Sequence, residues 1–236
     1  MPSDLQDWTI LIDLDGTLVD TAPDLHAALN HVLARQNLRA IPLQALRHMV
    51  GDGAKAMIRK GLDWNGVEID EEKIDDALWP QFIEHYVANI CHHSRPFEGA
   101  VSAIDSLIEA GAKIAICTNK AQALAEELIG SLDLNTRISA IIGGDVPAYK
   151  KPDPDHIRCS VRAVNGDLKK TLLIGDSTTD ERAALAAGIP YIYVSFGYGE
   201  FASAITSQIR RVDAWQQIPG EIAGLTGVQS GRYSLR

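Results

Sequence analysis

A chain of 236 residues with 46% hydrophobic content is long enough to bury one sizeable α/β core with a smaller insertion, and is too apolar for global disorder. Its 31 acidic against 22 basic residues leave a net charge of −9 and a pI near 5.2, which argues against nucleic-acid binding and leaves a small anionic substrate dependent on local positive charge. Cys91, Cys117 and Cys159 are odd in number and form no CxxC pair, so reduced thiols are expected rather than a disulfide framework or a zinc site.

The N-terminus, Met-Pro-Ser-Asp-Leu-Gln-Asp-Trp, has acids where a signal peptide needs bases. No apolar run approaches the roughly 20 residues of a membrane helix. A cytoplasmic protein with no membrane or nucleic-acid partner is therefore expected. Thr9 to Leu14 reads as a buried strand closed by Asp-Gly. Side chains two apart on a strand share a face, so Asp13 and Asp15 are expected to point the same way and Leu14 the other. Two such carboxylates repel, and the strand itself supplies no cation. Gly16 and Thr17 suit a sharp exit from the strand.

From Thr21 to about His92 the pattern is helical. Leu25, Ala28, Leu29, Val32 and Leu33 form one apolar stripe, and further helices are expected over 43–49, 54–62 and 74–90. In the last of these Ile74, Leu78, Phe82, Tyr86 and Ile90 recur every fourth residue. Trp64, Trp79, Phe82 and Tyr86 read as packing within this bundle, His92-His93 as a solvated hinge, and the acidic run from Asp70 to Asp76 as a helix start that needs no partner. After Pro96, helices over 99–110, 121–132, 155–164 and 179–187 alternate with strands over 113–117, 138–142, 171–174 and 191–194. That alternation predicts an α/β fold, a Rossmann-like parallel sheet with an inserted α-helical domain. The core comprises 1–19 and 93–236, and the insertion 20–92. The tail from Thr226 to Arg236 is expected to fray.

Ligands of open α/β sheets bind at the carboxyl ends of the strands. Those ends carry Thr118-Asn119-Lys120, then Tyr149-Lys150-Lys151-Pro152-Asp153-Pro154, then Gly175-Asp176-Ser177-Thr178-Thr179-Asp180. Asp13, Asp15, Asp176 and Asp180 at one mouth exceed what Lys151 can neutralise, and an all-oxygen donor set selects Mg²⁺ over zinc. A carboxylate nucleophile, Asp13, would divide one hard phosphoester hydrolysis into two easier steps. Lys151, Thr118 and backbone amides would counter the phosphoryl charge, while Asp15 would protonate the leaving oxygen and then accept a proton from water.

Asp13-Leu-Asp-Gly-Thr-Leu-Val-Asp, Thr118-Asn119, Lys151-Pro-Asp-Pro and Gly175-Asp-Ser-Thr-Thr-Asp180 resemble, in order, the four motifs of the haloacid dehalogenase superfamily. The helical insertion is similar to its C1 cap. The resemblance implies Asp13 as nucleophile and metal ligand, Asp15 as acid/base with its backbone carbonyl on the metal, and Asp176 completing the Mg²⁺ site. It further implies Thr118 and Lys151 on the phosphoryl group, with Asp180 in support. Within the superfamily, Leu46 to Lys55 and Gly143 to Pro154 are most similar to phosphoglycolate phosphatases. The resemblance places Asn119 with Thr118 and Lys151 among the substrate-binding residues, and Arg47, Gly51, Gly53 and Lys55 would then line a cap loop facing the core, with Lys55 or Arg47 meeting the second negative group of a small phosphorylated substrate. A phosphatase for a sugar or amino-sugar phosphate, a nucleotide or pyrophosphate, and a β-phosphoglucomutase-like phosphomutase, share these motifs. A phospho-receiver domain has no use for a second aspartate at i+2, and dehalogenases resemble this pattern without Asp15. Either a monomer or a homodimer is compatible with the sequence.

Overall fold

The computed structural model describes residues 4–201 and 204–226. In chain order, β1 (Thr9–Ile12) and β2 (Val19–Asp20) precede α1 (Ala22–Arg35), α2 (Leu43–Arg47), α3 (Ala54–Trp64), α4 (Glu71–Lys73) and α5 (Trp79–Ala88). The chain continues through β3 (Arg95–Pro96), α6 (Ala100–Glu109), β4 (Lys113–Cys117), α7 (Gln122–Ser131), β5 (Ala140–Ile142) and α8 (Pro154–Ala163). It ends with β6 (Thr171–Gly175), α9 (Thr178–Ala187), β7 (Tyr191–Val194), β8 (Ile209–Val212) and α10 (Ile218–Thr226). Apart from Thr226, the tail expected to fray lies outside the described residues.

Six strands pair in parallel in the order β5-β4-β1-β6-β7-β8. The strand β1 is central and buried on both faces: Ile10 and Ile12 enter one apolar cluster, and Leu11 the other. A fully buried side chain of this size contributes roughly 1.5–3 kcal/mol, so the middle of the sheet is anchored by apolar pressure from both sides. The three strands whose ends carry the motifs, β4, β1 and β6, are immediate neighbours. Strand order reverses here, because the chain builds outward through β5 on one side and β6 on the other. The strand β8 is not evident from the alternation: Ile209 and Val212 are buried, but Arg210 and Arg211 between them are not, as suits a charged edge strand.

Helices α1 to α5 all fall between β2 and β3, which pair antiparallel through Val19–Pro96 and Asp20–Arg95. Beside this ribbon, the buried carboxylate of Asp24 accepts hydrogen bonds from the Ser94 hydroxyl at 2.7 Å and from the N–H groups of His93 and Ser94 at 3.0 and 2.8 Å. The predicted stripe of α1 is buried throughout. Ile74, Leu78, Phe82, Tyr86 and Ile90 are buried too, although a four-residue step over-rotates an α-helix by ~40°. A π-helical turn over Ile74–Leu78 takes up part of that drift, so the single helix expected over 74–90 is this turn followed by α5, with α4 directly ahead of them. The acidic run is not unpartnered, since Asp75 pairs with Lys55 and Glu71 with Arg59 of α3. His92 and His93 are exposed and meet edge-on. Among the described residues, no helix is long and apolar enough to cross a membrane.

Candidate active site

The strand β1 stops at Ile12, two residues earlier than expected. Asp13 extends its line by donating its N–H to the Ile174 carbonyl of β6 at 2.9 Å, and the chain then turns. Gly16 makes that turn at φ +87°, and a Cβ there would stand 2.5 Å from a carboxylate oxygen of Asp176. Asp13 and Asp15 therefore reach the same cavity through a turn, not through the pleat of a strand.

Lys151 donates to Asp13 Oδ1 at 2.7 Å and to Asp180 Oδ1 at 2.6 Å. Its backbone is fixed on two sides. Its N–H donates to His156 Nδ1 at 3.2 Å, and its carbonyl accepts from Asn119 Nδ2 at 3.0 Å. His156 Nε2 lies 3.0 Å from the Ile142 carbonyl, so the ring is neutral, with its proton on Nε2. Burial, with the nearby Lys151 charge, lowers the His156 pKa to about 4 and keeps it in that form.

Asp176 follows β6. Its Oδ2 accepts the N–H groups of Tyr198 at 2.6 Å and Gly199 at 3.2 Å, and the Thr17 hydroxyl lies 3.5 Å from Oδ1. Asp180 accepts from the Ser177 hydroxyl at 2.6 Å and closes a capping box at the start of α9. Gly175 permits this approach, because a Cβ there would lie 2.5 Å from the Asp180 carboxyl carbon.

Carboxylate oxygens of Asp13, Asp176 and Asp180 lie within 4.8 Å of one another, and all three residues are buried. Burial, against the opposing pull of Lys151, and then the charges of Asp180 and Asp176 hold the Asp13 carboxyl well above the usual carboxylate range. Burial and Asp180 do the same to Asp176, outweighing its two backbone donors. Burial works against the Lys151 ammonium, but Asp13 and Asp180 outweigh it and keep the group charged. One ammonium is too little for three buried carboxylates, and all the donors are oxygen. The cluster therefore fits a hard divalent cation.

Asp15 faces other company. Its Oδ1 accepts from the Thr21 hydroxyl at 2.7 Å and from Lys120 Nζ at 3.0 Å. A cavity of about 270 Å³ opens above Asp13, Asp15, Thr118, Asn119 and Lys120. Its far wall is the loop from Val50 to Lys55, with Leu25, Met57, Trp79, Phe82 and Tyr86 beside it. Trp79, Phe82 and Tyr86 thus wall the cavity as well as packing their helix, while Trp64 is about half exposed. The loop is tied to the sheet edge through two carbonyls: Gly51 accepts from Asn119 Nδ2 at 3.1 Å, and Asp52 from Lys150 Nζ at 2.7 Å.

Gly51, Gly53 and Lys55 line the cavity as anticipated for a loop facing the core, but Arg47 does not. The Arg47 guanidinium pairs with Asp20 at 3.2 Å and lies 5.2 Å from the centre of the Tyr198 ring, because Asp20 and Tyr198 sit beside α2 and satisfy it there. Lys55 lines the cavity with its ammonium on Asp75 at 2.7 Å. Lys151, Asp176 and Asp180 stand behind Asp13, off the cavity wall. Sequence reasoning missed Lys120, His156, Asp24 and Tyr198 as contributors. Lys120 alone carried a local signal, a base directly after Thr118-Asn119 at a strand exit; the others act through partners far along the chain.

The profile of the haloacid dehalogenase-like hydrolase family matches residues 10–194. A phosphoglycolate phosphatase of Caulobacter vibrioides is 44% identical over 197 residues, 84% of this chain and 83% of that protein. The phosphoglycolate phosphatase of Agrobacterium fabrum is 42% identical over 80% of each chain. Among solved structures, that of a predicted phosphoglycolate phosphatase from Haemophilus somnus aligns with a TM-score of 0.82 at 25% identity, covering 92% of this chain and 98% of that one. CbbY of Rhodobacter sphaeroides, solved in complex with phosphate, aligns with a TM-score of 0.76 at 25% identity over 94% of this chain and 100% of that one.

Proposed function

The chain belongs to the haloacid dehalogenase-like hydrolase family, and from that premise we propose that it is a Mg²⁺-dependent phosphatase hydrolysing 2-phosphoglycolate to glycolate and phosphate through a phosphorylated Asp13. One observation carries the reaction class. Two carboxylates on one turn face the same cavity in opposite company: Asp13 on the Lys151–Asp180 network, and Asp15 beside the opening with Thr21 and Lys120. The first is held in place for attack. The second, in this reading, meets the leaving oxygen.

In this reading Asp13 attacks phosphorus, and the bond to the ester oxygen breaks as that oxygen takes the proton of Asp15. Water then attacks the phosphorus of the aspartyl-phosphate, giving its proton back to Asp15, and Asp13 is regenerated as phosphate leaves. The Thr118 hydroxyl binds the phosphoryl oxygens, the Lys151 ammonium counters their charge from behind Asp13, and Asn119 holds the Lys151 backbone. Mg²⁺, which Asp13, Asp176 and the backbone carbonyl of Asp15 would hold with Asp180 in support, neutralises phosphoryl charge when bound. Residues 20–92 act as a cap over the core of 1–19 and 93–236, and its apolar wall keeps bulk water from the aspartyl-phosphate.

The relatives named phosphoglycolate phosphatase support the substrate, and the cavity has room for a two-carbon ester. The test is a phosphate-release screen in Mg²⁺ across phosphoglycolate, hexose phosphates, nucleoside monophosphates, amino-sugar phosphates and pyrophosphate. Phosphoglycolate should give the highest kcat/KM, with inorganic phosphate as product. A higher value on a sugar phosphate removes the substrate assignment, and phosphate retained in an organic product removes hydrolysis.

A further inference from the structure

The bases around the cavity differ in what already holds them. Arg47 is turned to Asp20, Lys55 is half exposed and paired with Asp75, and Lys150 donates to the Asp52 carbonyl. Lys120 is almost fully buried. Its ammonium lies 3.0 and 3.3 Å from the two oxygens of Asp15 and 4.7 Å from the centre of the Tyr86 ring, and all three residues line the cavity. The Tyr86 hydroxyl is buried with no hydrogen-bond partner among the described residues. Resting on the phosphoglycolate reading above, we propose that Lys120, with the Tyr86 hydroxyl beside it, binds the carboxylate of the substrate that is not transferred.

Connectivity supplies the argument. The leaving oxygen must sit within hydrogen-bond reach of Asp15 to take its proton. In phosphoglycolate the carboxyl carbon is only two bonds from that oxygen, so the carboxylate cannot travel far from Asp15. An ammonium already in contact with Asp15 stands within that short reach. A buried cation with one carboxylate partner gains from a second anion, and the low dielectric of an apolar wall strengthens the contact. A buried hydroxyl left unpaired is costly, and an incoming carboxylate oxygen would satisfy it. The reading cation thus belongs to the sheet edge, while the cap contributes the hydroxyl, so a carboxylated ester draws on both sides of the cavity at once.

The experiment measures binding, so that an effect on Asp15 chemistry is not mistaken for recognition. Calorimetry in saturating Mg²⁺ compares 3-phosphonopropionate, a non-hydrolysable analogue of phosphoglycolate, with propylphosphonate, which lacks the carboxylate. The native enzyme should favour the carboxylated ligand by roughly 10- to 150-fold, and Lys120→Met should erase that preference. A preference that survives in Lys120→Met and disappears in Lys55→Met overturns the proposal and leaves the phosphoglycolate reading intact. No preference in the native enzyme overturns both. Should Lys120→Met fail to fold, Tyr86→Phe decides: weakened binding of 3-phosphonopropionate alone supports the pair, and unchanged binding of both ligands overturns it.

Discussion

At the carboxyl edge of the sheet, Asp13, Lys151, Asp176 and Asp180 are nearly inaccessible, and each is bonded to a side chain or an N–H brought from another strand end. Across the cavity, the loop from Val50 to Lys55 meets the core through two backbone carbonyls, and its lysine is half exposed. The first arrangement is over-determined: moving one carboxylate disturbs the ammonium or the amides that hold the others. The second can shift as a unit, because carbonyl-to-side-chain bonds to Asn119 and Lys150 are few and re-form easily. The floor suits chemistry that tolerates little displacement, and the roof suits closing over different substrates.

The largest effect should come from breaking the floor. Asp13→Asn removes the proposed nucleophile and is expected to lower kcat by about 10⁴-fold or more, with no hydroxylamine-sensitive phosphoenzyme trapped in acid. Residual phosphoaspartate in that variant would place the nucleophile elsewhere.

Metal removal comes next. Excess chelator and Asp176→Ala should each abolish turnover, with added Mg²⁺ restoring only the former. The pH dependence of stability follows from the raised Asp13 and Asp176. In metal-free protein the native state keeps protons that the unfolded chain releases above about pH 4, so stability falls as pH rises toward neutrality. A cation held by the ionised carboxylates offsets that loss. The gain in Tm on adding Mg²⁺ should therefore be larger at about pH 8 than at about pH 5.5. An equal gain at both would mean that the carboxylates do not carry the metal.

The joint between the two regions offers a smaller, purely structural test. Asp24 on α1 holds both backbone and hydroxyl of the returning chain at His93 and Ser94, and is buried. Asp24→Asn replaces an acceptor with a donor opposite these groups and should cost about 1.5–3 kcal/mol, read as a lower urea midpoint at unchanged m.

How far the sequence foretold all this follows the same division. The bounds of β4 and β7 were readable to the residue, because short apolar runs ending in Thr-Asn or Ser carry their limits locally. The motif residues at the ends of β1, β4 and β6 were readable for a related reason: a parallel sheet must gather those ends. The wrong end of β1 shows where local pattern stops, since Leu14 is as apolar as Ile12 and only the Gly16 turn against Asp176 decides which residue leaves the sheet. Arg47 shows the same on the cap. The resemblance of Leu46 to Lys55 to phosphoglycolate phosphatases placed it on the cavity loop, but Asp20 and Tyr198, brought in by the β2 ribbon and the segment after β7, claim its guanidinium. The π turn and the contact of Lys120 with Tyr86 are likewise products of packing between distant segments.

The smallest expected effect is at Lys55, and it bears most directly on the roof. A lysine lining the cavity would be the first choice for an anion contact, and if it served that purpose Lys55→Met would lower kcat/KM on phosphoglycolate far more than on a carboxylate-free aryl phosphate. Its ammonium instead rests on Asp75, with both side chains 48% exposed, and 5.7 Å from the Trp79 ring. A pair so exposed is worth about 0–1 kcal/mol after solvent screening, and its loss removes a link between α3 and the π turn rather than a ligand contact. Lys55→Met should therefore change kcat/KM by less than roughly 5-fold, by the same factor on both substrates, with a small drop in Tm. A selective loss on phosphoglycolate would show that Lys55 leaves Asp75 when substrate arrives, which would move the source of carboxylate recognition from the sheet edge to the cap.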